Sequence, residues 1–214
     1  MINNGLKLKV CGMRYGDNVS EVAALNPDYM GFIFYLKSPR FVGALSENLV
    51  FSLKNKGIEP VAVFVNASVA FVAQISELYG FTSVQLHGHE TPETCMDLRA
   101  KGLQVLKAFN IADFSDMQKT EAYQNCCDYF LFDTKSALPG GSGRQFDWNL
   151  LRRYAGTTPF FLSGGIGPDD AEKVRLFDHP MFFGLDLNSR FEIAPALKDV
   201  SLLKKFIDQL TTKK

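Results

Sequence analysis

The chain has 214 residues, and its 23 lysines and arginines are matched by 23 aspartates and glutamates, so it carries no basic field to attract nucleic acid or an anionic membrane. A 46% hydrophobic and 21% charged composition is that of a globular protein with a substantial core. No apolar run reaches the length of a membrane-spanning helix, and residues 1–5 lack the regions of a signal peptide. These exclusions predict a cytoplasmic protein that acts on a small molecule, without nucleic acid or membrane. The cysteines (Cys11, Cys95, Cys126 and Cys127) form no C-x-x-C pair, which favours free thiols. The histidines (His87, His89 and His179) show no metal-ligand spacing, so no metal is expected.

In chain order, short apolar runs alternate with amphipathic segments. A first strand over residues 6–11 precedes a helix over 18–25 with Asp17 as its N-cap. A strand over 29–35 precedes a helix over 46–56 that stops at Gly57, and a strand over 60–66 precedes a helix over 68–79 that stops at Gly80. A strand over 83–87 is followed by a helix over 93–101, entered through Thr91-Pro92, and a strand over 103–110 by a helix over 113–124. Strands over 128–133, 159–163 and 181–187 then alternate with helices over 148–154, 169–177 and 196–210.

The strands end at Cys11, Tyr35, Asn66, His87, Asn110, Asp133, Ser163 and Asp186, at intervals of 24, 31, 21, 23, 23, 30 and 23 residues. Eight βα units at near-regular spacing predict a compact α/β protein, one (β/α)8 TIM-barrel domain over residues 1–214 with no linker. The competing fold, a doubly wound open sheet, would carry G-x-G-x-x-G after the first strand. The loop there reads Gly12-Met13-Arg14-Tyr15-Gly16-Asp17 instead.

Active sites of such barrels lie at the C-terminal ends of the strands. That rule selects Cys11, Arg40 in Ser38-Pro39-Arg40, Asn66, His87, Asp133 and Asp186. The late loops add Gly141, Ser142 and Gly143, then Gly164 and Gly165, then Asn188 and Ser189. Glycines let a backbone approach an anion and present its N–H groups. Asn188-Ser189 is placed to open a short extra helix, and the three segments converge on a phosphate site.

Lys9 shares the strand face of Cys11 by the period of two, and its charge is expected to lower the thiol pKa. Asp133 ends the apolar run Tyr129-Phe130-Leu131-Phe132. Arg40 has the fork that grips a carboxylate. At this point plainer alternatives stay open: a small buried side chain for Cys11, a structural carboxylate for Asp133, a solvated surface arginine for Arg40, and either an acid/base or a structural role for His87. Cys95, Cys126 and Cys127 fall on helical segments, where packing explains them.

Taken together, the residues resemble the phosphoribosylanthranilate isomerases of tryptophan biosynthesis, almost end to end. The resemblance runs through Lys9-Val10-Cys11-Gly12, Gly31-Phe32-Ile33-Phe34 with Ser38-Pro39-Arg40, Val63-Phe64-Val65-Asn66 and Val84-Gln85-Leu86-His87-Gly88. It continues through Phe132-Asp133, Gly140-Gly141-Ser142-Gly143 with Phe146-Asp147-Trp148, Leu162-Ser163-Gly164-Gly165-Ile166 and Asp186-Leu187-Asn188-Ser189. It implies an Amadori rearrangement that needs no cofactor. By that resemblance Cys11 is the general base and Asp133 the general acid, whose pKa burial is expected to raise. Arg40 meets the anthranilate carboxylate, and Asp186 lines the mouth near the sugar. The phosphate falls to Gly141, Ser142, Gly143, Gly164, Gly165, Asn188 and Ser189.

One departure stands out: the family often reads Ser-Gly-Val-Glu where this chain has Ser189-Arg190-Phe191-Glu192, which puts a cation beside the proposed phosphate. The related isomerase of histidine biosynthesis has aspartate where this chain has Cys11. Indole-glycerol-phosphate synthase needs a catalytic lysine set and a longer N-terminal extension. A phosphate-binding sensor barrel has no need of Cys11 and Asp133 together. A monomer is expected, with a weak dimer left open.

Overall fold

The computed structural model describes residues 5–134 and 147–211. Eight parallel strands close on themselves in sequence order: β1 (Lys7–Cys11), β2 (Tyr29–Ile33), β3 (Glu59–Phe64), β4 (Ser83–Leu86), β5 (Gln104–Ile111), β6 (Tyr129–Thr134), β7 (Phe160–Leu162) and β8 (Phe182–Leu187). β8 returns to β1 through the pairs Leu8↔Leu185 and Lys9↔Asp186. The expected barrel is therefore formed, and each of the eight apolar runs supplies one strand.

Alternation along the strands builds two apolar layers. Tyr29, Val61, Leu106, Ala108, Leu131 and Phe161 pack inside the barrel with Tyr129 and Phe183. Leu8, Val10, Met30, Phe32, Phe64, Leu185 and Leu187 belong to the larger outer layer under the helices. The β7–β8 register shifts from Phe160↔Phe182 to Phe161↔Gly184. Phe183 is thus one extra residue on β8, a bulge, and its ring packs tilted against Tyr129, with centroids 4.5 Å apart. After the bulge Gly184 faces inward against the Phe161 ring, where a Cβ would meet it at 2.8 Å. Asp186 then also faces inward, at the barrel mouth.

The outer helices are α1 (Gly16–Ala23), α2 (Glu47–Asn55), α3 (Val69–Tyr79), α4 (Pro92–Ala100), α5 (Phe114–Gln118), α6 (Ala171–Leu176) and α7 (Val200–Thr211). Ser68 and Thr91 cap α3 and α4 through their side chains, and Gly80 ends α3 in the left-handed region. Asp17 is not the cap of α1. The helix starts two residues earlier, with Tyr15 at the N-cap position, so Asp17 sits in the first turn, where its charge faces the positive helix end.

The helix expected over 113–124 is shorter than its pattern. α5 gives way to a 3-10 segment, Lys119–Tyr123, where the Thr120 hydroxyl donates to the Met117 carbonyl at 2.8 Å and tightens the turn. Residues 148–153 are likewise 3-10 rather than α. The final helix begins at Val200, not at 196. A hairpin of β9 (Glu192–Ala194) and β10 (Leu197–Lys198) intervenes, because Pro195 holds the residue before it extended and Ala196 turns through a positive φ of 67°. Among the described residues no helix is long and apolar enough to cross a membrane.

Candidate active site

The mouth of the barrel opens into a cavity of about 620 Å³. Cys11, Gln85, His87, Asp133, Ser163, Gly164, Gly165, Asp186, Asn188 and Ser189 all line it. Sequence candidates from β1, β4, β6, β7 and β8 therefore meet on one surface. Gly141, Ser142 and Gly143 lie outside the described residues.

Cys11 ends β1 with 3% of its surface exposed. Burial pushes its thiol pKa up, Lys9 and Lys198 oppose that, and Asp186 adds to it. The result is a raised value, opposite to the lowering expected from Lys9. The reason is twofold. Desolvation of the thiolate is the largest effect, and the Lys9 charge is shared, since its Nζ donates to Asp186 Oδ1 at 2.7 Å. Burial on its own would push Lys9 down, but Asp186 and Cys11 reverse this and hold the ammonium raised. Ser163 Oγ donates to the other Asp186 oxygen at 3.1 Å, so both carboxylate oxygens are engaged beneath the mouth.

The turn after Cys11 depends on Gly12, at φ 78°. A Cβ there would stand 2.8 Å from both Arg40 Cδ and Asn188 Oδ1, so the turn after β1 needs a residue without a side chain.

Asp133 is the next-to-last residue of β6, three strand steps from β1 by way of β7 and β8. Its Oδ1 accepts from the Thr134 N–H at 2.7 Å, and its Oδ2 lies 3.3 Å from His87 Nε2. On its other nitrogen, His87 meets the Gln85 side-chain amide at 2.7 Å. With the Gln85 nitrogen as donor, His87 carries its proton on Nε2, facing Asp133. Gly164 packs against this carboxylate, for a Cβ built on it would meet Asp133 Oδ1 at 2.8 Å. Gly164 and Gly165 both adopt positive φ, 84° and 71°. The single 3-10 turn Ser189–Phe191 follows β8 where the short extra helix was expected. Arg190 lines the same wall and lies over Gly167, whose Cβ would stand 3.2 Å from its Nε.

Arg40 is not the open guanidinium that its loop suggested. It is buried and lies outside the cavity lining, although Ser38 of the same loop is part of it. Its Nε donates to Glu192 Oε1 at 2.9 Å and Oε2 at 3.0 Å, and its Nη2 to Oε2 at 2.6 Å. Burial would raise the Glu192 pKa, but Arg40 and Lys198 together hold it below the usual carboxylate value.

A further buried ion pair supports the opposite rim. Lys107 Nζ donates to Glu90 Oε2 at 3.1 Å and to the Gly88 carbonyl at 2.8 Å, and Glu90 Oε1 accepts from Asn66 N–H at 2.7 Å. The loops after β3 and β4 are thereby tied to β5. The sequence signal for this pair was a lysine inside the apolar run over 103–110. No comparable signal marked Glu90, Glu192 or Lys198. Among the described residues no group of three or more histidines, cysteines or carboxylates is arranged to hold a metal ion.

A closed eight-stranded parallel barrel with a thiol, a carboxylate and glycine-rich late loops around one mouth defines a (β/α)8-barrel enzyme class. Residues 8–209 match the family model described as N-(5'-phosphoribosyl)anthranilate (PRA) isomerase, and the chain belongs to that family. The protein named N-(5'-phosphoribosyl)anthranilate isomerase from Parabacteroides distasonis is 48% identical over 204 residues, spanning 95% of this chain and 92% of the relative. The crystal structure of phosphoribosyl anthranilate isomerase from Thermotoga maritima superposes with a TM-score of 0.83 at 29% identity, covering 96% of this chain and 98% of that one. Another solved isomerase of this name, in complex with reduced 1-(o-carboxyphenylamino)-1-deoxyribulose 5-phosphate, gives a TM-score of 0.78 at 26% identity, with 96% and 98% covered.

Proposed function

We propose that this chain converts N-(5'-phosphoribosyl)anthranilate to 1-(2-carboxyphenylamino)-1-deoxyribulose 5-phosphate in tryptophan biosynthesis, by general acid–base catalysis that needs no cofactor. The observation that carries the reading is that Cys11 and Asp133 line one cavity, in a chain of this family. Asp133 gives a proton to the ribose ring oxygen, the bond from that oxygen to C1 breaks, and a Schiff base forms. The Cys11 thiolate then takes the proton from C2, and the resulting enolamine tautomerises to the ketone. His87 Nε2, 3.3 Å from Asp133 Oδ2, orients that carboxyl group. Gly164, Gly165, Asn188 and Ser189 line the corner assigned to the phosphate, with Gly141, Ser142 and Gly143 as further proposed contacts. Asp186 faces the sugar. For Arg40 to take the anthranilate carboxylate, its guanidinium must be shared with Glu192. The working unit is one barrel domain over residues 1–214, acting in the cytoplasm as a monomer.

The test is direct. Purified protein added to fluorescent phosphoribosylanthranilate, without metal or cofactor, is expected to abolish the substrate fluorescence. Unchanged fluorescence, with turnover of the histidine-pathway aminoaldose instead, overturns the reading.

The position of the thiol gives a second check. Gly31 is the register partner of Cys11, and a Cβ on it would stand 2.6 Å from Cys11 Sγ. Gly31→Ala is expected to displace the sulfur and lower kcat about 10²-fold, with the fold intact by circular dichroism. A normal kcat in Gly31→Ala means that the sulfur position does not matter to the reaction.

A further inference from the structure

The hairpin after β8 brings a second ammonium to the reaction centre. Lys198, on β10, is fully buried. Its Nζ donates to Asn188 Oδ1 and to Glu192 Oε1, each at 2.7 Å. Its backbone is clamped by one side chain of α1: Lys198 N–H donates to Asn18 Oδ1 at 2.8 Å, and Asn18 Nδ2 donates to the Lys198 carbonyl at 2.9 Å. The Asn188 oxygen that it grips lies against Gly12, the residue that follows Cys11. Lys198 therefore touches the proposed phosphate rim and the carboxylate that holds Arg40, and through Asn188 it reaches the turn that follows the thiol.

The charged groups around Cys11 come from every side. Lys9 lies on its own strand and Asp186 on β8. Lys198 and Glu192 lie on the hairpin, and Arg40 on the loop after β2. His87 and Asp133 face the cavity from the ends of β4 and β6. Among the described residues, the packed cluster next to the thiol holds Lys9, Arg40 and Lys198 with Asp186 and Glu192. A buried surplus of positive charge is costly, and a thiolate at Cys11 balances it. Burial pushes Lys198 down in pKa and the Arg40 charge adds to that; Glu192 and Cys11 oppose it but leave the value lowered.

We propose that Lys198 is a positioning residue of the isomerase site: it fixes Asn188 and Glu192, and with Lys9 it supplies the positive charge against which the Cys11 thiolate forms. The proposal rests on Cys11 as the base, but it is tested on the thiol itself, without turnover. The rate of iodoacetamide alkylation at Cys11, followed by peptide mass spectrometry across pH, is compared in wild type, Lys198→Met, Lys198→Gln and Lys198→Arg. Loss of the charge is expected to slow alkylation at neutral pH about tenfold, the equivalent of one pK unit, and to lower kcat while raising KM. Lys198→Gln keeps an amide donor for Asn188 and Glu192, so it reports the charge alone and covers a Lys198→Met that fails to fold. Lys198→Arg keeps the charge and is expected to restore the wild-type alkylation profile. A purely structural role shifts the melting temperature and leaves alkylation untouched. Wild-type alkylation in a folded Lys198→Met or Lys198→Gln protein overturns the proposal. If wild type fails to consume the substrate while alkylation still depends on Lys198, the isomerase reading falls and the charge coupling stands.

Discussion

Asp133→Asn is expected to lower kcat/KM about 10²- to 10⁴-fold, the range of a general acid lost from its place. Asparagine keeps the volume and a carbonyl oxygen for the Thr134 N–H, which Asp133 Oδ1 accepts at 2.7 Å. It cannot deliver a proton to a ring oxygen. The close wall of Gly164 accepts the isosteric amide, so the fold and KM should change little. Steady-state kinetics with a thermal melt separate the outcomes. Near-normal turnover in a folded variant removes Asp133 from the acid role, and His87, 3.3 Å away, becomes the group to replace next.

Cys11→Ala should be as severe, again about 10²- to 10⁴-fold in kcat, and it also carries a sign in pH. The base acts as thiolate. Burial raises the thiol pKa, so the thiolate is the minor form at neutral pH and grows as pH rises toward that raised value. Wild-type kcat/KM is therefore expected to climb from neutral into alkaline pH and to fall as the thiol protonates. The residual rate of Cys11→Ala is expected to lack this limb. A wild-type profile that stays flat across the thiol range, or a Cys11→Ala variant that keeps the limb, would falsify the thiolate as the base.

The barrel was legible in the sequence because its strands are buried on both faces and read as separated apolar runs. Its helices were legible where a side-chain cap or a glycine stop marked them, as at Ser68 and Gly80. Legibility failed where local hydrogen bonds overrode the periodicity, as Thr120 does after α5, and where Pro195 and Ala196 made a hairpin inside a helical pattern. For the site, strand ends were enough to place Cys11, Asp133 and Asp186, because position in a barrel fixes which residues reach the mouth. Charge pairing was not legible. Lys9 is two residues from Cys11, but its partner Asp186 is 177 residues from it in sequence. The Arg40–Glu192 contact spans 152 residues. Such pairings arise only when β8 and its hairpin close on β1 and β2, and no local pattern encodes them.

The clasp between Asn18 and Lys198 also bears on the order in which a working centre is assembled during synthesis. Translation delivers β1 first among the strands and β8 last, and domains fold as their parts become available. A nascent chain that has reached α6 already carries Cys11 and Asp133. It still lacks Asp186, Glu192 and Lys198, the groups that surround the thiol and hold Arg40. The clasp spans 180 residues, so the last strand and hairpin complete the surroundings of a thiol that was made with the first strand. An incomplete chain therefore carries its thiol and Lys9, but the rest of the charged shell, Asp186, Glu192 and Lys198, arrives only with the end of the barrel.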